Sequence, residues 1–358
     1  MALRVEAWTV ELPLLEPFRI STGTSEKTRT LLIRLTTPDG LEGWGEACPS
    51  KTVLGETLED LVEAVRKIKI LEADYESIEK IHELTWSLKV PSSLAAAINI
   101  GLLDLYARSK GSPLWRLLGG YRDSIQTDIS IGIMEPYEQA KRALEFVEKG
   151  FRILKLKLGL EPEKDVERVK RVRDAVGEGV KIRVDANQGW SVEDAIRVIS
   201  RIASYEVELV EQPTRWDDFE GLRKIRRESP VPIALDESVK TARDAIKAIE
   251  YEAADIINIK LMKTKGITGA LRVAYISESA NIRNMIGCYG ETRLGITAHI
   301  HLAQAIRNIQ FYDMDCDLLT SQQAFQGGAS IENDIRSVGE EPGLGKLVPE
   351  FSKFVRII

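Results

Sequence analysis

Residues 181–213 read KIRVDANQGWSVEDAIRVISRIASYEVELVEQP, and this stretch decides the fold class. It opens with a short apolar run at 181–184 and closes with another at 207–210. Between them, at 192–204, apolar residues recur with the period of a helix. The pattern predicts a strand, a helix and a strand, which is the unit that joins two parallel strands.

The same unit repeats from residue 121 to about residue 321. Eight apolar runs alternate with amphipathic stretches, and they lie at residues 127–133, 153–158, 181–184, 207–210, 232–235, 256–259, 283–286 and 309–312. Eight such units predict an α/β fold built on a modified (β/α) TIM-type barrel. An open doubly wound sheet is the alternative, and it is disfavoured because no G-x-G-x-x-G follows any of the runs.

Residues 1–120 have a different pattern, which predicts an α+β capping domain. Alternating residues at 4–10 and 30–35 predict strands, and the apolar period then becomes helical. The polar, glycine-containing stretch 17–24 predicts a mobile loop. Residues 322–358 leave the repeat, and we expect them to pack back on the capping domain.

The composition excludes several classes of protein. The 49 basic and 55 acidic residues are interspersed and give a net charge of −6, so no basic block is present to follow a nucleic-acid backbone. No stretch approaches the ~20 apolar residues of a membrane span, and residues 1–15 lack the pattern of a secretory signal. Cys48, Cys288 and Cys316 are scattered, which argues against a disulfide framework or a zinc site and favours the reduced cytoplasm. The sequence is compatible with a homo-oligomer.

Six ionisable residues fall at the C-terminal ends of five successive predicted strands. They are Lys155, Lys157, Asp185, Glu211, Asp236 and Lys260. In a barrel, side chains at that end of the strands converge on the reaction face. Period-two alternation also places Lys155 and Lys157 on the same face of their strand. A helix cap or an ion pair would explain each residue singly, but it does not explain the register that all six share.

The three carboxylates are a set of hard oxygen ligands suited to Mg²⁺. Burying three anions together is unfavourable unless a cation neutralises them. Lys157 and Lys260 belong to strands across the barrel from one another, which is the placement expected of two acid/base groups. We expect Lys155 beside Lys157, together with the cation, to lower the pKa of the lysine base.

The order Lys-x-Lys, Asp, Glu, Asp and Lys resembles the enolase superfamily, in particular its muconate-lactonising subgroup, over nearly the whole chain. The resemblance implies that the three carboxylates bind Mg²⁺ and that Lys157 and Lys260 are the acid/base pair, while Lys155 tunes Lys157 beside the substrate. It also implies that Glu291 and Tyr289, in the segment GCYGET, lie near the substrate. A cap of the following helix is the alternative for Glu291.

The subgroup that uses a histidine base is excluded by the positions of the three histidines. His82 falls in the predicted capping domain, and His299 and His301 fall in the helix after the seventh strand. The latter two are expected at the surface or in the core.

Two further features resemble dipeptide epimerases. The segments GEACP at 45–49 and VLGET at 53–57 resemble their second capping loop. The eighth strand ends in Asp313 and Asp315, and the resemblance implies that these carboxylates receive the free α-ammonium of a dipeptide. Asp315 and Asp317 have the same spacing and are the alternative pair.

One position departs from that pattern. Dipeptide epimerases specific for glutamate carry an arginine in the first capping loop, and this chain has Gly23 at the matching position. Arg19 and Lys51 are the cations that could replace the arginine. Thr24, next to Gly23, would contact the substrate as the loop closes. The missing arginine predicts a preference for neutral over acidic C-terminal residues.

The sequence therefore predicts a Mg²⁺-dependent isomerase that removes the α-proton of the C-terminal residue of a small dipeptide and returns it through an enediolate. Nucleic acid and membranes are not expected partners. Cycloisomerisation, o-succinylbenzoate synthesis and N-acylamino acid racemisation use the same lysines and metal, and they are the alternatives within the subgroup. A barrel that binds a small ligand without turnover is the alternative outside catalysis, and it would need no pair of opposed lysines.

Overall fold

A computed structural model describes residues 1–358, and the first part of the chain forms an antiparallel sheet covered by helices. Its elements are β1 (Ala2–Ile20), β2 (Gly23–Thr36), β3 (Glu42–Ala47), α1 (Leu58–Val65), β4 (Ile70–Glu72), α2 (Ile78–Ser87), α3 (Ser92–Ser109) and α4 (Leu114–Leu118). Strand β2 pairs with β1 and with β3, and β4 pairs with the other edge of β1. The predicted α+β capping domain is present in this arrangement.

Two glycines in β3 allow helix α3 to lie directly on the sheet. A Cβ at Gly43 would be 2.3 Å from the carbonyl oxygen of Gly101, and a Cβ at Gly45 would be 1.9 Å from that of Ala97. Any side chain at either position would push the helix away. This close packing holds the segment after Ala47 against the rest of the molecule.

The long β1–β2 hairpin replaces the mobile loop predicted over residues 17–24. The two strands continue to a turn at Ser21 and Thr22, and Phe18 pairs with Ser25 near the tip. The polar residues that suggested a loop are the exposed positions of an alternating strand. The prediction of irregular structure here is therefore wrong.

The middle of the chain forms the predicted barrel. Its elements are β5 (Ile125–Gln126), β6 (Ile129–Ile131), α5 (Pro136–Glu148), β7 (Ile153–Lys157), α6 (Pro162–Val176), β8 (Lys181–Asp185), α7 (Val192–Ile202), β9 (Val207–Glu211), α8 (Phe219–Glu228), β10 (Ile233–Leu235), α9 (Ala242–Glu250), β11 (Ile256–Ile259), α10 (Ile267–Ser279), β12 (Arg283–Gly287), α11 (Arg293–Ala305) and β13 (Ile309–Asp313). Strands β6 to β13 are hydrogen-bonded in order and parallel. The amide of Asp128 donates to the carbonyl oxygen of Tyr312 at 3.1 Å, which brings the two edges together. The predicted (β/α) barrel is confirmed.

A layer of apolar side chains fills the barrel interior on five adjacent strands. It consists of Leu209, Ala234, Ile256, Met285 and Phe311. Because strand side chains alternate, the residue two positions later on each strand points the same way, one layer nearer the C-terminal end. Those residues are Glu211, Asp236, Asn258, Gly287 and Asp313. The apolar layer thus supports a polar one.

The last part of the chain contacts both the barrel and the capping sheet. Its strands are β14 (Phe325–Gly327), β15 (Ser330–Glu332), β16 (Ile335–Ser337), β17 (Leu347–Pro349) and β18 (Phe354–Arg356). Strand β16 pairs with β5 at the start of the barrel, while β18 pairs with β1. None of the helices in the molecule is both long and apolar enough to cross a bilayer.

Candidate active site

A cavity of about 520 Å³ separates the capping sheet from the C-terminal end of the barrel. One wall comes from the β1–β2 hairpin and another from the segment after β3. Its floor consists of residues at or just after the barrel strands, which are Ser130, Lys157, Asn187, Gln188, Asp236, Glu237, Lys260, Cys288, Tyr289, Gly290, Asp313, Asp315 and Cys316. The cavity therefore lies where the sequence predicts the site.

The three predicted metal ligands end three adjacent strands. Asp185 is paired in register with Glu211 across β8 and β9, and Asp236 directly follows β10. All three side chains are buried. They present only carboxylate oxygens, which is the donor set that Mg²⁺ prefers.

The three predicted lysines each contact these carboxylates. Lys155 Nζ lies 2.7 Å from Glu211 Oε2 and 3.4 Å from Asp185 Oδ2. Lys157 Nζ donates to Asp185 Oδ2 at 2.6 Å, and Lys260 Nζ lies 2.9 Å from Asp236 Oδ2. In the strand order, β7 and β11 are four strands apart among eight, so Lys157 and Lys260 approach the cavity from opposite sides.

The buried ionisable groups at this site carry an excess of negative charge. Six buried carboxyl groups lie close to four buried ammonium groups. The carboxyl groups are those of Asp185, Glu211, Asp236, Glu237, Asp313 and Asp315, and the ammonium groups are those of Lys155, Lys157, Lys260 and Lys263. Full ionisation would leave these ten groups with an excess of negative charge, which a bound cation would reduce. Glu237 Oε2 and Asn187 Oδ1 are also buried here without a hydrogen-bond partner. The residues present therefore fit a bound cation.

Burial and this excess of negative charge raise the pKa values of several of the carboxyl groups. Burial, reinforced by the neighbouring Asp236, raises the pKa of Glu237 to about 8. Burial and the nearby Asp313 raise the pKa of Asp315 to about 6. Burial also raises the pKa of Glu211. Three of the six carboxyl groups thus resist ionisation as long as only lysines compensate the charge.

Two of the lysines are held strongly in the charged form. Burial opposes the charge on Lys155, but the surrounding carboxylates, Asp313 first, outweigh it and raise its pKa well above the usual value. Burial likewise opposes the charge on Lys260, and Asp236 outweighs it and raises the pKa. Lys260 could act as a base only if its carboxylate partner were shared with another cation.

The structure separates the two candidate aspartate pairs of the eighth strand. Asp313 and Asp315 both border the cavity, where Asp313 Oδ2 accepts from Lys155 at 2.6 Å and Asp315 Oδ2 accepts from the Ser130 amide at 2.6 Å. Asp317 is buried elsewhere, between Arg336 and Arg293. The alternative pair of Asp315 and Asp317 therefore does not face a common space.

Replacing Asp317 by asparagine is expected to lower the free energy of unfolding by about 3–5 kcal/mol, because Arg336 would be left as an uncompensated buried charge. Urea unfolding measures this directly. Glu340→Gln is the matched control, since it removes an exposed partner of Arg116 and should leave stability unchanged. Equal effects of the two substitutions would show that the Asp317 ion pairs do not contribute as described.

Glu291 lies beneath the cavity floor and does not line it. Its Oε2 accepts from the amide of Tyr289 at 2.6 Å, within its own loop, so it is not a cap of α11. The cap of α11 is Thr292, whose side chain accepts from the Leu294 amide at 3.3 Å. Tyr289 does border the cavity, and Lys260 Nζ lies 4.6 Å from the centre of its ring.

The hairpin tip closes one side of the cavity. Ser21 Oγ donates to the carbonyl oxygen of Asn187 at 2.7 Å, which ties the tip to the loop after β8. Phe18 and Ile20 point into the cavity, while Arg19 and its cross-strand neighbour Thr24 are exposed and lie outside the cavity wall. The sequence thus identified the segment that borders the site, but as a loop rather than a hairpin. The residues that line the cavity include Phe18 and Ile20, whereas the expected Thr24 does not line it.

Four residues of the site were missed in the sequence. Lys263 Nζ donates to Asp236 Oδ1 at 2.6 Å, and Asn258 Nδ2 donates to Glu211 Oε1 at 2.6 Å. Gln212 accepts from the Asp236 amide, and Ser130 Oγ contacts Asp313 at 3.3 Å. Asn258 lies on β11 two positions before Lys260, which follows that strand, so the alternation used for Lys155 and Lys157 could have found it.

His299 and His301 do not line the cavity. His299 and His301 are buried in α11, where His299 accepts from the Leu261 amide at 3.3 Å and His301 accepts from the Trp115 amide at 3.1 Å. Burial lowers the pKa of His299 to about 4 and that of His301 to about 3. Both are neutral structural residues of the core.

Comparison with known proteins identifies the family of the chain. The family described as mandelate racemase / muconate lactonizing enzyme, N-terminal domain, matches residues 4–119, and the family described as enolase C-terminal domain-like matches residues 138–350. The chain is 36% identical over 353 residues to the L-Ala-D/L-Glu epimerase of Bacillus subtilis, covering 96% of each protein. It is 41% identical over 340 residues to the hydrophobic dipeptide epimerase of Enterococcus faecalis, covering 94% of this chain and 96% of that protein.

A solved structure of a related protein has the same fold over nearly the whole chain. The dipeptide epimerase of Cytophaga hutchinsonii, complexed with Mg and the dipeptide D-Ala-L-Val, superposes with a TM-score of 0.95 at 34% identity and 99% coverage of both chains. Both family matches and these nearly end-to-end relatives show that the chain belongs to the enolase superfamily, among the proteins related to mandelate racemase and muconate lactonizing enzyme.

Proposed function

We propose that the protein is a Mg²⁺-dependent dipeptide epimerase that inverts the α-carbon of the C-terminal residue. The observation that carries the proposal is the placement of Lys157 and Lys260 on opposite sides of one cavity. A proton removed on one face by one lysine and returned on the other face by its partner gives inversion. The epimerase activities named for the relatives above support this reaction.

Asp185, Glu211 and Asp236 would hold the cation. When bound, Mg²⁺ supplies positive charge that stabilises the negative charge developing on the substrate carboxylate. The chain itself orients the ligands, since Asn258 holds Glu211 and Lys263 holds Asp236. Because these partners are buried, the carboxylates are positioned before any substrate enters.

Asp313 and Asp315 would receive the α-ammonium of the substrate. They border the cavity on the last strand of the barrel and just after it, and the ammonium of Lys155 lies between Asp313 and the metal carboxylate Glu211. An ammonium placed here gains charge-assisted hydrogen bonds and relieves the repulsion between the two aspartates. We propose that Lys155 and Ser130 hold Asp313 in place, and that Tyr289 borders the substrate beside Lys260.

The hairpin favours a neutral C-terminal residue. Its inward side chains Phe18 and Ile20 are apolar, and Arg19 points away. Lys27 and Arg29 border the cavity, but both are already paired with Glu11. Lys51 also borders the cavity and has no ion pair, so it is the one cation free to receive an acidic side chain.

We expect kcat/KM for L-Ala-L-Leu to exceed that for L-Ala-L-Glu by about 5- to 150-fold, since an unpaired carboxylate buried beside Phe18 and Ile20 costs on the order of 1–3 kcal/mol. Proton NMR on each dipeptide measures both constants. Lys51→Met is the companion variant, because it would depress any residual turnover of L-Ala-L-Glu while leaving L-Ala-L-Leu unaffected. A better rate for L-Ala-L-Glu would contradict the assignment of the pocket.

The other reactions of the subgroup fit the site less well. Cycloisomerisation and o-succinylbenzoate synthesis act on substrates without an ammonium, and an N-acylated amino acid has none either, so none would use the two aspartates. A binding barrel without turnover would not need two opposed lysines. An N-acetylated dipeptide tests this point, because it should be a poor substrate if Asp313 and Asp315 bind a free amine.

We further propose that the protein works in the cytoplasm, which the three free thiols support. We also propose a division into a capping domain at 1–120, a catalytic barrel at 121–321 and a C-terminal segment at 322–358. Assembly into a homo-oligomer stays a prediction that sedimentation analysis would test.

A further inference from the structure

All three cysteines of the chain border the active-site cavity, although they lie far apart in the sequence. Cys48 follows β3, Cys288 follows β12 and Cys316 comes shortly after β13. Because β12 and β13 pair with Gly287 opposite Asp313, the segments that carry Cys288 and Cys316 leave the barrel side by side. Spacing along the sequence could not reveal this proximity.

Two of these thiols share a space with Glu291. The sulfur atoms of Cys288 and Cys316 and a carboxylate oxygen of Glu291 lie within 4.8 Å of one another. Cys316 Sγ is 3.7 Å from Glu291 Oε2. A tetrahedral Zn²⁺ with bonds of about 2.3 Å to sulfur and about 2.1 Å to oxygen would separate those two atoms by about 3.6 Å. The three side chains are thus already near the spacing of a metal site.

Glu291 also has an unfilled bonding position. Its Oε1 is buried and accepts no hydrogen bond. The nearest basic group, His299 Nε2, is 4.0 Å away and already accepts from the Leu261 amide at 3.3 Å, so it has no proton to donate. The oxygen beside Cys316 is the other one, Oε2, and a cation bound there would compensate the charge of a buried carboxylate that is only partly hydrogen-bonded.

We propose that Cys288, Cys316 and Glu291 bind one thiophilic divalent cation, Zn²⁺ or its analogue Cd²⁺, at a site separate from the three carboxylates of β8 to β10. The fourth ligand position would open toward the cavity that both cysteines border. Thiolate ligands select such cations, whereas Mg²⁺ prefers oxygen ligands. As the cation binds, the two thiols lose their protons to solvent.

Occupation of this site would oppose substrate binding. Cys288 Sγ is 3.7 Å from Asp315 Oδ1, so the cation would lie next to the aspartates that receive the substrate ammonium. Two positive charges at this distance repel each other in a buried site. This consequence rests on the proposed function, whereas binding of the cation does not.

Cadmium titration of the fully reduced, Mg²⁺-saturated protein tests the site, because cadmium–thiolate bonds absorb in the ultraviolet. The absorbance should rise to saturation at one equivalent of Cd²⁺. It should be lost in Cys288→Ser and Cys316→Ser and retained in Cys48→Ser, the matched control. Cys288→Ala and Cys316→Ala, checked by circular dichroism, provide a second pair should the serine variants misfold. No absorbance at one equivalent, or its persistence without Cys288 or Cys316, would overturn the proposal; so would its loss in Cys48→Ser.

Steady-state kinetics test the effect on substrate. Saturating Zn²⁺ in excess Mg²⁺ should raise KM for L-Ala-L-Leu without lowering kcat, and the rise should vanish in Cys316→Ala. An unchanged KM would overturn the proposal that a cation at this site opposes binding of the substrate ammonium beside Asp315. Should the protein epimerise no dipeptide, the cadmium titration would still report on the site by itself.

Discussion

The Asp236→Asn enzyme is expected to lose epimerisation by a factor of at least ~10³, because removing a metal carboxylate forfeits several kcal/mol of transition-state charge stabilisation. Both oxygens of Asp236 are held by lysines, with Lys260 at 2.9 Å and Lys263 at 2.6 Å. Because Lys260 and Lys263 would lose their carboxylate partner, the variant should also be less stable, and circular dichroism checks that it is folded at the assay temperature. Proton NMR of a dipeptide measures the activity, and calorimetric titration with Mg²⁺ measures the binding.

The control for Asp236→Asn is an acid in a loop at the same end of the barrel that lies outside the cavity. Asp217 follows β9, is exposed and pairs with Arg215 at 2.9 Å. Asp217→Asn should bind Mg²⁺ and turn over substrate like the parent. In the unmodified enzyme EDTA should remove activity, and added Mg²⁺ should restore it. Full activity in the Asp236→Asn variant, or after EDTA, would exclude the three carboxylates as an essential metal site.

Replacing either Lys157 or Lys260 by alanine is expected to slow epimerisation by about 10²–10⁴-fold in both directions. Both directions suffer because each conversion needs one lysine to remove the proton and the other to return it. The remaining lysine still faces one side of the α-carbon. In D₂O each variant should therefore exchange deuterium into one epimer of L-Ala-Leu without inverting it, and the two variants should label opposite epimers.

Mass spectrometry and chiral chromatography of the products distinguish exchange from inversion. Lys164→Ala is the control, since Lys164 is a half-exposed lysine on α6 that pairs with Glu135 and Glu161 outside the cavity. Its epimerisation rate should equal that of the parent. If Lys260→Ala inverted both epimers at the parental rate, one lysine would suffice and the two-base arrangement would have to be abandoned.

A comparison of Asp236 with Asp317 shows where prediction from the sequence reaches its limit. The sequence predicts Asp236 as a site residue because it follows a strand of the repeat. The C-terminal ends of the strands of a parallel barrel lie on one face of the barrel. Asp317 has the same chemistry and the same spacing from Asp315 as Asp313 does. Only its contacts with Arg336 and Arg293, which come from other parts of the chain, reveal that it is structural.

By itself the sequence determined the barrel, the capping domain and the register of the ionisable strand ends, because helical and strand periods are local properties that each segment carries. Tertiary structure alone decided that residues 17–24 are a strand hairpin, that Phe18 and Ile20 rather than Thr24 face the cavity, and that Lys263 holds Asp236. It also decided that Cys288 and Cys316 meet at Glu291. Such contacts join residues that are far apart in the chain. They depend on how the strands pack side by side, and local sequence patterns do not predict that packing.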